Sequence, residues 1–75
     1  MKRIPIKSSS IKSIGYDIES EILEVEFIRG DIYKYYEVIP KIFCNLLFAD
    51  SIGSYFYKNI AKKFEFEKLE REIDE

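Results

Sequence analysis

The 75-residue chain contains no histidine, a single cysteine, two prolines and no apolar run approaching the ~18 residues that a membrane-spanning helix requires. Without histidine no side chain has an ordinary pKa near neutrality. General acid–base chemistry would then need a strongly shifted carboxylate, lysine or tyrosine, and the chain is expected not to be an enzyme. One cysteine, Cys44, excludes an internal disulfide and a zinc site of the usual thiolate and imidazole kind. It reads as a small buried hydrophobe rather than a reactive thiol. The carboxylates are scattered, Asp17 and Asp50 among them, and outline no metal site, so neither metal nor cofactor is expected. Met1-Lys2-Arg3-Ile4-Pro5 carries charge with no apolar stretch behind it. A cytoplasmic protein in a reducing compartment, without membrane contact, is the expectation.

What the chain has in quantity is rings. Six tyrosines and six phenylalanines stand in 75 residues, and five of the tyrosines fall in two segments, Ile32-Tyr33-Lys34-Tyr35-Tyr36 and Ser51-Ile52-Gly53-Ser54-Tyr55-Phe56-Tyr57. Such rings either close a small core or stack on a flat ligand. At this length the chain builds one domain, residues 1–75, burying roughly 60% of its unfolded surface, and any cleft is shallow. Charge is divided unevenly. Ten Lys/Arg face eight Asp/Glu up to Lys63, and two face six from Phe64 onward, so the net charge of −2 combines +2 with −4; the acidity lies at the C-terminal end, where a tail over 67–75 follows a core of about 7–66. Lys2, Arg3, Lys7 and Lys12 form one basic cluster, and Lys58, Lys62 and Lys63 another. Each is a solvated surface or a phosphate-facing patch.

Periodicity predicts an α+β fold: a three-stranded antiparallel meander packed against two helices, followed by a short C-terminal strand or helix. Ser8-Ser9-Ser10 leads into a strand near Ile11–Asp17, and Ile18–Glu21 is a polar connection. Leu23, Val25 and Phe27 alternate with Glu24 and Glu26, giving a strand with one apolar and one charged face. Arg29-Gly30-Asp31 reads as the hairpin turn. A three-residue loop there sets Phe27 opposite Tyr33 and Val25 opposite Tyr35. The third strand runs from Ile32 to Val38, and Pro40 suits the first turn of a helix carrying Ile42, Phe43, Leu46, Leu47 and Ala49 toward the sheet. Asp50–Ser54 breaks that helix before a second one bearing Phe56, Ile60 and Phe64. Beyond it, Phe64–Glu67 alternates like a strand, while Phe66, Leu69 and Ile73 repeat like a helix. A short strand and then an acidic helix is the expected order.

Two segments offer a ligand something to bind. Tyr33 and Tyr35 either line the core with hydroxyls at its rim or belong to a ligand platform. Tyr36 with Lys34, on the opposite face, is the ring-and-ammonium pair that a single-stranded nucleic-acid surface uses, the ring meeting a base and the ammonium a phosphate. The Ser51–Ser54 turn either caps the second helix or gathers backbone N–H groups into an anion site. The candidate ligand-binding residues are accordingly Ser8, Ser9, Tyr33, Tyr35, Tyr36, Ser51, Gly53, Tyr55 and Lys58.

The succession Ser8-Ser9-Ser10-Ile11, Ile14-Gly15-Tyr16-Asp17, Leu23-Glu24-Val25-Glu26-Phe27 with Gly30, Tyr33-Lys34-Tyr35, Ile39-Pro40, Leu46-Leu47-Phe48-Ala49-Asp50-Ser51-Ile52-Gly53-Ser54-Tyr55-Phe56 and Ile60 resembles the KTSC family. The likeness runs from about Lys7 to Phe66. That family is named for a domain at the C-terminus of some lysyl-tRNA synthetases and also occurs as free-standing small proteins of bacteria and phages. The chain departs from it in two places. Tyr57 stands where the family usually has asparagine, and Val38-Ile39-Pro40 follows the Tyr-x-Tyr motif one residue late. The resemblance implies a non-catalytic binding module for RNA or another nucleotide-containing ligand. Two alternatives stand beside it: an oligomeric sponge that encloses a nucleotide signal between subunits of a homo-oligomer, and a protein-interaction module.

Overall fold

A computed structural model describes residues 2–69 of the chain. Its elements are β1 (Arg3–Pro5), β2 (Ile11–Asp17), β3 (Ile22–Phe27), β4 (Ile32–Tyr35), α1 (Pro40–Leu47), α2 (Ile52–Asn59) and β5 (Phe66–Leu69). The fold is α+β, and the sheet has five strands rather than the three expected. They are ordered β1-β2-β3-β4-β5, with every neighbouring pair antiparallel. Both additional strands lie at edges. At three residues β1 is too short for alternation alone to mark it, whereas β5 is the short C-terminal strand expected after the second helix, set two residues later than the Phe64–Glu67 alternation. The sheet thus extends past 7–66 on both sides. The acidic helix expected after the last strand falls outside the described residues.

Alternation divides the sheet into two faces. Ile14, Leu23, Val25, Phe27 and Tyr35 turn toward the helices and form the core together with Ile11, Val38, Leu46, Phe56 and Ile60. A bulge between Ile11 and Ser13 lets Ile11 and Ile14 share that face despite their odd spacing. On the other face Arg3, Gly15, Glu24, Lys34 and Glu67 stand in one cross-strand row. Signs alternate along it. Arg3 reaches Glu24 at 2.7 Å and Glu26 at 3.9 Å, and Ser13 donates to Glu26 at 2.8 Å.

The hairpin register differs from the expected one by one pair. Val25 faces Tyr33 and Leu23 faces Tyr35, because the three-residue loop is Ile28-Arg29-Gly30 rather than Arg29-Gly30-Asp31. The N–H of Phe27 donates to Asp31 O at 2.8 Å and that of Gly30 to Phe27 O at 2.8 Å. Gly30 takes the positive φ, 107°, that closes this kind of loop. A shift of two positions preserves the faces, so the burial pattern survives. β4 also ends at Tyr35 instead of Val38. Glu37 turns the chain at φ 60°, and Val38 then reaches the core while its N–H donates to Glu21 O at 2.9 Å.

Pro40 opens α1 as expected, behind an extended Ile39. The helix buries Leu46 and rests Ile42, Phe43 and Leu47 on the core. Cys44, expected buried, is exposed. It lies a helical step away from Phe43, on the side that also carries the exposed Phe48. Ser51 caps α2, its hydroxyl accepting the N–H of Ser54 at 3.2 Å. Among the described residues no helix is long and apolar enough to cross a membrane.

Candidate functional site

The helix-facing side of the sheet holds two groups of rings. Toward α1, Tyr16 and Phe43 stack with centroids 4.3 Å apart and planes 10° from parallel. The Tyr16 hydroxyl donates to the carbonyl of Val38 at 2.5 Å. Burial raises this phenol above its ordinary pKa, and Glu21, Cys44 and Asp17 add to the rise. The pair is closed on itself.

Toward α2 the rings form a larger and open cluster. Phe56, fully buried, makes edge contacts with Phe27 at 5.6 Å, Tyr35 at 5.2 Å and Tyr57 at 5.3 Å. Phe27 also meets Tyr33 edge-on at 5.7 Å and Tyr57 at 6.3 Å. Between these rings, the Ile28–Gly30 loop and the serine loop that precedes β2 lies a cleft of about 540 Å³. Phe27, Tyr33, Tyr35, Phe56 and Tyr57 supply its rings, Ser9 and Ser10 its small hydroxyls, and Arg29 its charge. Among the described residues no carboxylate lines it. Tyr35 forms part of the floor at 4% exposure. Loss of hydration pushes its phenol up to about 12, and the neighbouring Tyr33 and Tyr57 add to the rise. The volume is that of a small-molecule site, which is typically apolar with a few placed polar groups.

Local chemistry fixes the serine wall. The hydroxyl of Ser8 accepts the N–H groups of Ser10 at 3.2 Å and Ile11 at 3.3 Å, folding the loop over itself. Gly53, in the first turn of α2 and buried, receives that loop. A Cβ there would stand 3.0 Å from Ser10 Oγ and 3.2 Å from Ser8 Oγ. Glycine is therefore what lets the loop lie so close to the helix.

Of the residues singled out in the sequence, Ser9, Tyr33 and Tyr35 line the cleft, and Ser8 and Gly53 hold its wall from behind. Ser51 serves as the helix cap. Tyr55 packs partly against the core, and its carbonyl accepts from the Asn59 side chain at 3.2 Å. Lys58 is exposed in the last turn of α2, outside the residues that line the cleft. Tyr36 lies away from the cleft and donates to Glu67 at 2.7 Å, a bond that raises its phenol pKa. Lys34 stands between Glu24 and Glu67 in the cross-strand row, so this ring-and-ammonium pair sits among carboxylates. Arg3, from the first basic cluster, is engaged by Glu24. Sequence reasoning missed Ser10, Phe27, Ile28, Arg29, Phe56, Tyr57 and Ala61 as cleft residues. For the three rings the signal was ring density, together with a tyrosine at 57 where the family usually has asparagine; the other residues carried none.

The model of the KTSC domain family matches residues 7–64. A protein of Stutzerimonas stutzeri is 52% identical over 56 residues, which make up 75% of this chain and 79% of that one. A lysine–tRNA ligase of Nostoc punctiforme is 38% identical over 63 residues, 84% of this chain but 11% of the ligase. The crystal structure of a KTSC domain protein from Yersinia pestis superposes with a TM-score of 0.86 at 37% identity, covering 92% of this chain and 97% of that one.

Proposed function

The chain belongs to the KTSC domain family, and from that premise we propose that it is a non-catalytic binding module whose aromatic cleft takes a base of RNA or of another nucleotide-containing ligand. The cleft carries this reading. Its rings offer π-faces and edges to a flat heterocycle, and the hydroxyls of Ser9, Ser10, Tyr33 and Tyr57 can reach the heteroatoms of a base edge. Arg29, with a side chain 79% exposed beside Asp31 at 2.8 Å, supplies a planar donor for phosphate at the mouth. Occurrence of a similar segment within a lysine–tRNA ligase supports an RNA ligand. The opposite sheet face is a poorer candidate, because carboxylates alternate with its cations and would repel a phosphate backbone.

Capture of one small nucleotide is the second reading, and the single-ligand volume of the cleft favours it. Titration by intrinsic tyrosine fluorescence, with short single-stranded RNA and with a panel of mono- and cyclic nucleotides, tests both. Saturable binding that weakens in Tyr57→Ala and Tyr33→Ala is the expected result. A folded protein that binds neither class would leave docking of a protein partner instead.

A further inference from the structure

The cluster of rings does not stop at the cleft. On β5, Phe66 stands directly across from Tyr35, with its centroid 5.6 Å from that ring and 5.5 Å from Tyr33. A path of rings in contact therefore leads from Tyr57 on α2 through Phe27 and Tyr33 to Phe66. Its two ends are open to solvent, Tyr57 at 48% and Phe66 at 54%. A ring so exposed at a sheet edge costs solubility and contributes little to a core, since half of its surface stays in water.

Charge follows the same line. Lys68 lies opposite Tyr33, on the same face. Asp31 sits between two cations, with Arg29 Nε at 2.8 Å and Lys68 Nζ at 3.7 Å. Both cations are more exposed than the carboxylate they share, at 79% and 58% against 23%. Among the described residues, two cations thus share one carboxylate on the rim between the cleft and Phe66.

Alternating π-faces and cations along a line complement a single nucleic-acid strand, whose bases and phosphates alternate in the same way. Resting on the cleft reading above, we infer that the ligand is an oligonucleotide of at least two residues: one base enters the cleft, the next stacks on Phe66 of β5, and the phosphate between them faces Arg29 and Lys68. A mononucleotide in the cleft would not extend to Phe66 or Lys68. The second ring is read by its face alone, so the second position tolerates any base.

The test compares adenosine monophosphate with the dinucleotide and tetranucleotide of adenylate on the full chain, by calorimetric titration at fixed salt. The dinucleotide is expected to bind roughly tenfold more tightly than the monophosphate, as one stacked base provides. In Phe66→Leu, which keeps an apolar cover over Tyr35 but has no ring, that ratio should fall toward one. Phe66→Tyr should keep it. A merely structural Phe66 would move the affinities for all three ligands together and leave the ratio intact. Monophosphate binding with no gain for the dinucleotide, or a ratio that Phe66→Leu leaves unchanged, overturns this inference while the cleft reading stands. Failure of all three ligands to bind the folded protein removes both.

Discussion

The two ring groups under the helices share one sheet face and yet are finished differently. At the α1 side Tyr16 spends its face on Phe43 and its hydroxyl on a backbone carbonyl. At the α2 side Tyr33, Tyr35 and Tyr57 meet other rings edge-on, tilted or loosely stacked, at centroid distances of 5.2–6.3 Å, and border a cleft. A tyrosine whose polar and apolar parts are both satisfied within the fold is a structural residue. One with a half-open ring and a hydroxyl facing a cavity keeps its binding capacity for something else. In so small a domain that capacity is costly, which is why the difference between the two ends points to function.

The largest effect is expected where the open cluster is anchored. Phe56→Ala removes the buried ring that touches Phe27, Tyr35 and Tyr57 and should destabilise by about 3–5 kcal/mol, a large share of a small domain's total. Urea titration reads it, and a loss under about 1 kcal/mol would mean that the cluster is not held from below. Next comes Tyr16→Phe, which deletes the bond to Val38 O and leaves that carbonyl short of a donor. It should cost about 1–2 kcal/mol in the same titration, and no change would erase the distinction between the closed and open ends.

A smaller effect is expected in alkali. The folded state holds the Tyr35 phenol at about 12, against an ordinary 10.0, so it binds that proton more tightly than the unfolded chain does. The associated stability is complete below pH 10 and is lost as pH rises from 10 toward 12. Melts across that window should fall more steeply for the natural protein than for Tyr35→Phe, and parallel curves would show that the floor of the cleft is wetter than described. The smallest change in stability belongs to Tyr57→Phe, under about 0.5 kcal/mol. The same variant should still weaken ligand binding measurably, and that split between stability and affinity is what the open end predicts. Tyr16→Phe should show the reverse split.

Much of the scaffold could be read from residues alone, because each legible element announced itself locally. β2 begins and ends where expected, Pro40 opens α1, and Ser51 caps α2. The helix-facing set Leu23, Val25 and Phe27 follows from strict alternation. Elements defined by a partner were less legible. Arg3–Pro5, which no local pattern announces, is a strand because β2 offers it hydrogen bonds, and the short C-terminal strand expected from the Phe64–Glu67 alternation settles at Phe66–Leu69, where β4 pairs with it. Val38 reads as a continuation of β4 because it is apolar at the right spacing, but the left-handed turn at Glu37 brings it to the core by another route. The cleft was the least legible. Its walls come from the serine loop, the hairpin tip, β4 and α2, and only the tertiary placement of Gly53 against Ser8 and Ser10 closes one of them.

Strand order in the sheet equals strand order in the chain for β1 through β4, so those three pairings form across short connections and need little search. The β4–β5 pairing is different, since both helices intervene before Phe66 meets Tyr35. Longer closure is slower and is repaid later, which makes β5 the natural last step of folding and the first strand to peel away. Amide hydrogen exchange should accordingly be faster along Phe66–Leu69 than along β3, whose hydrogen bonds are flanked on both sides. An oligonucleotide lying across Tyr33 and Phe66 would slow exchange in β5 first, so that the seam made last in folding would also register the ligand's arrival.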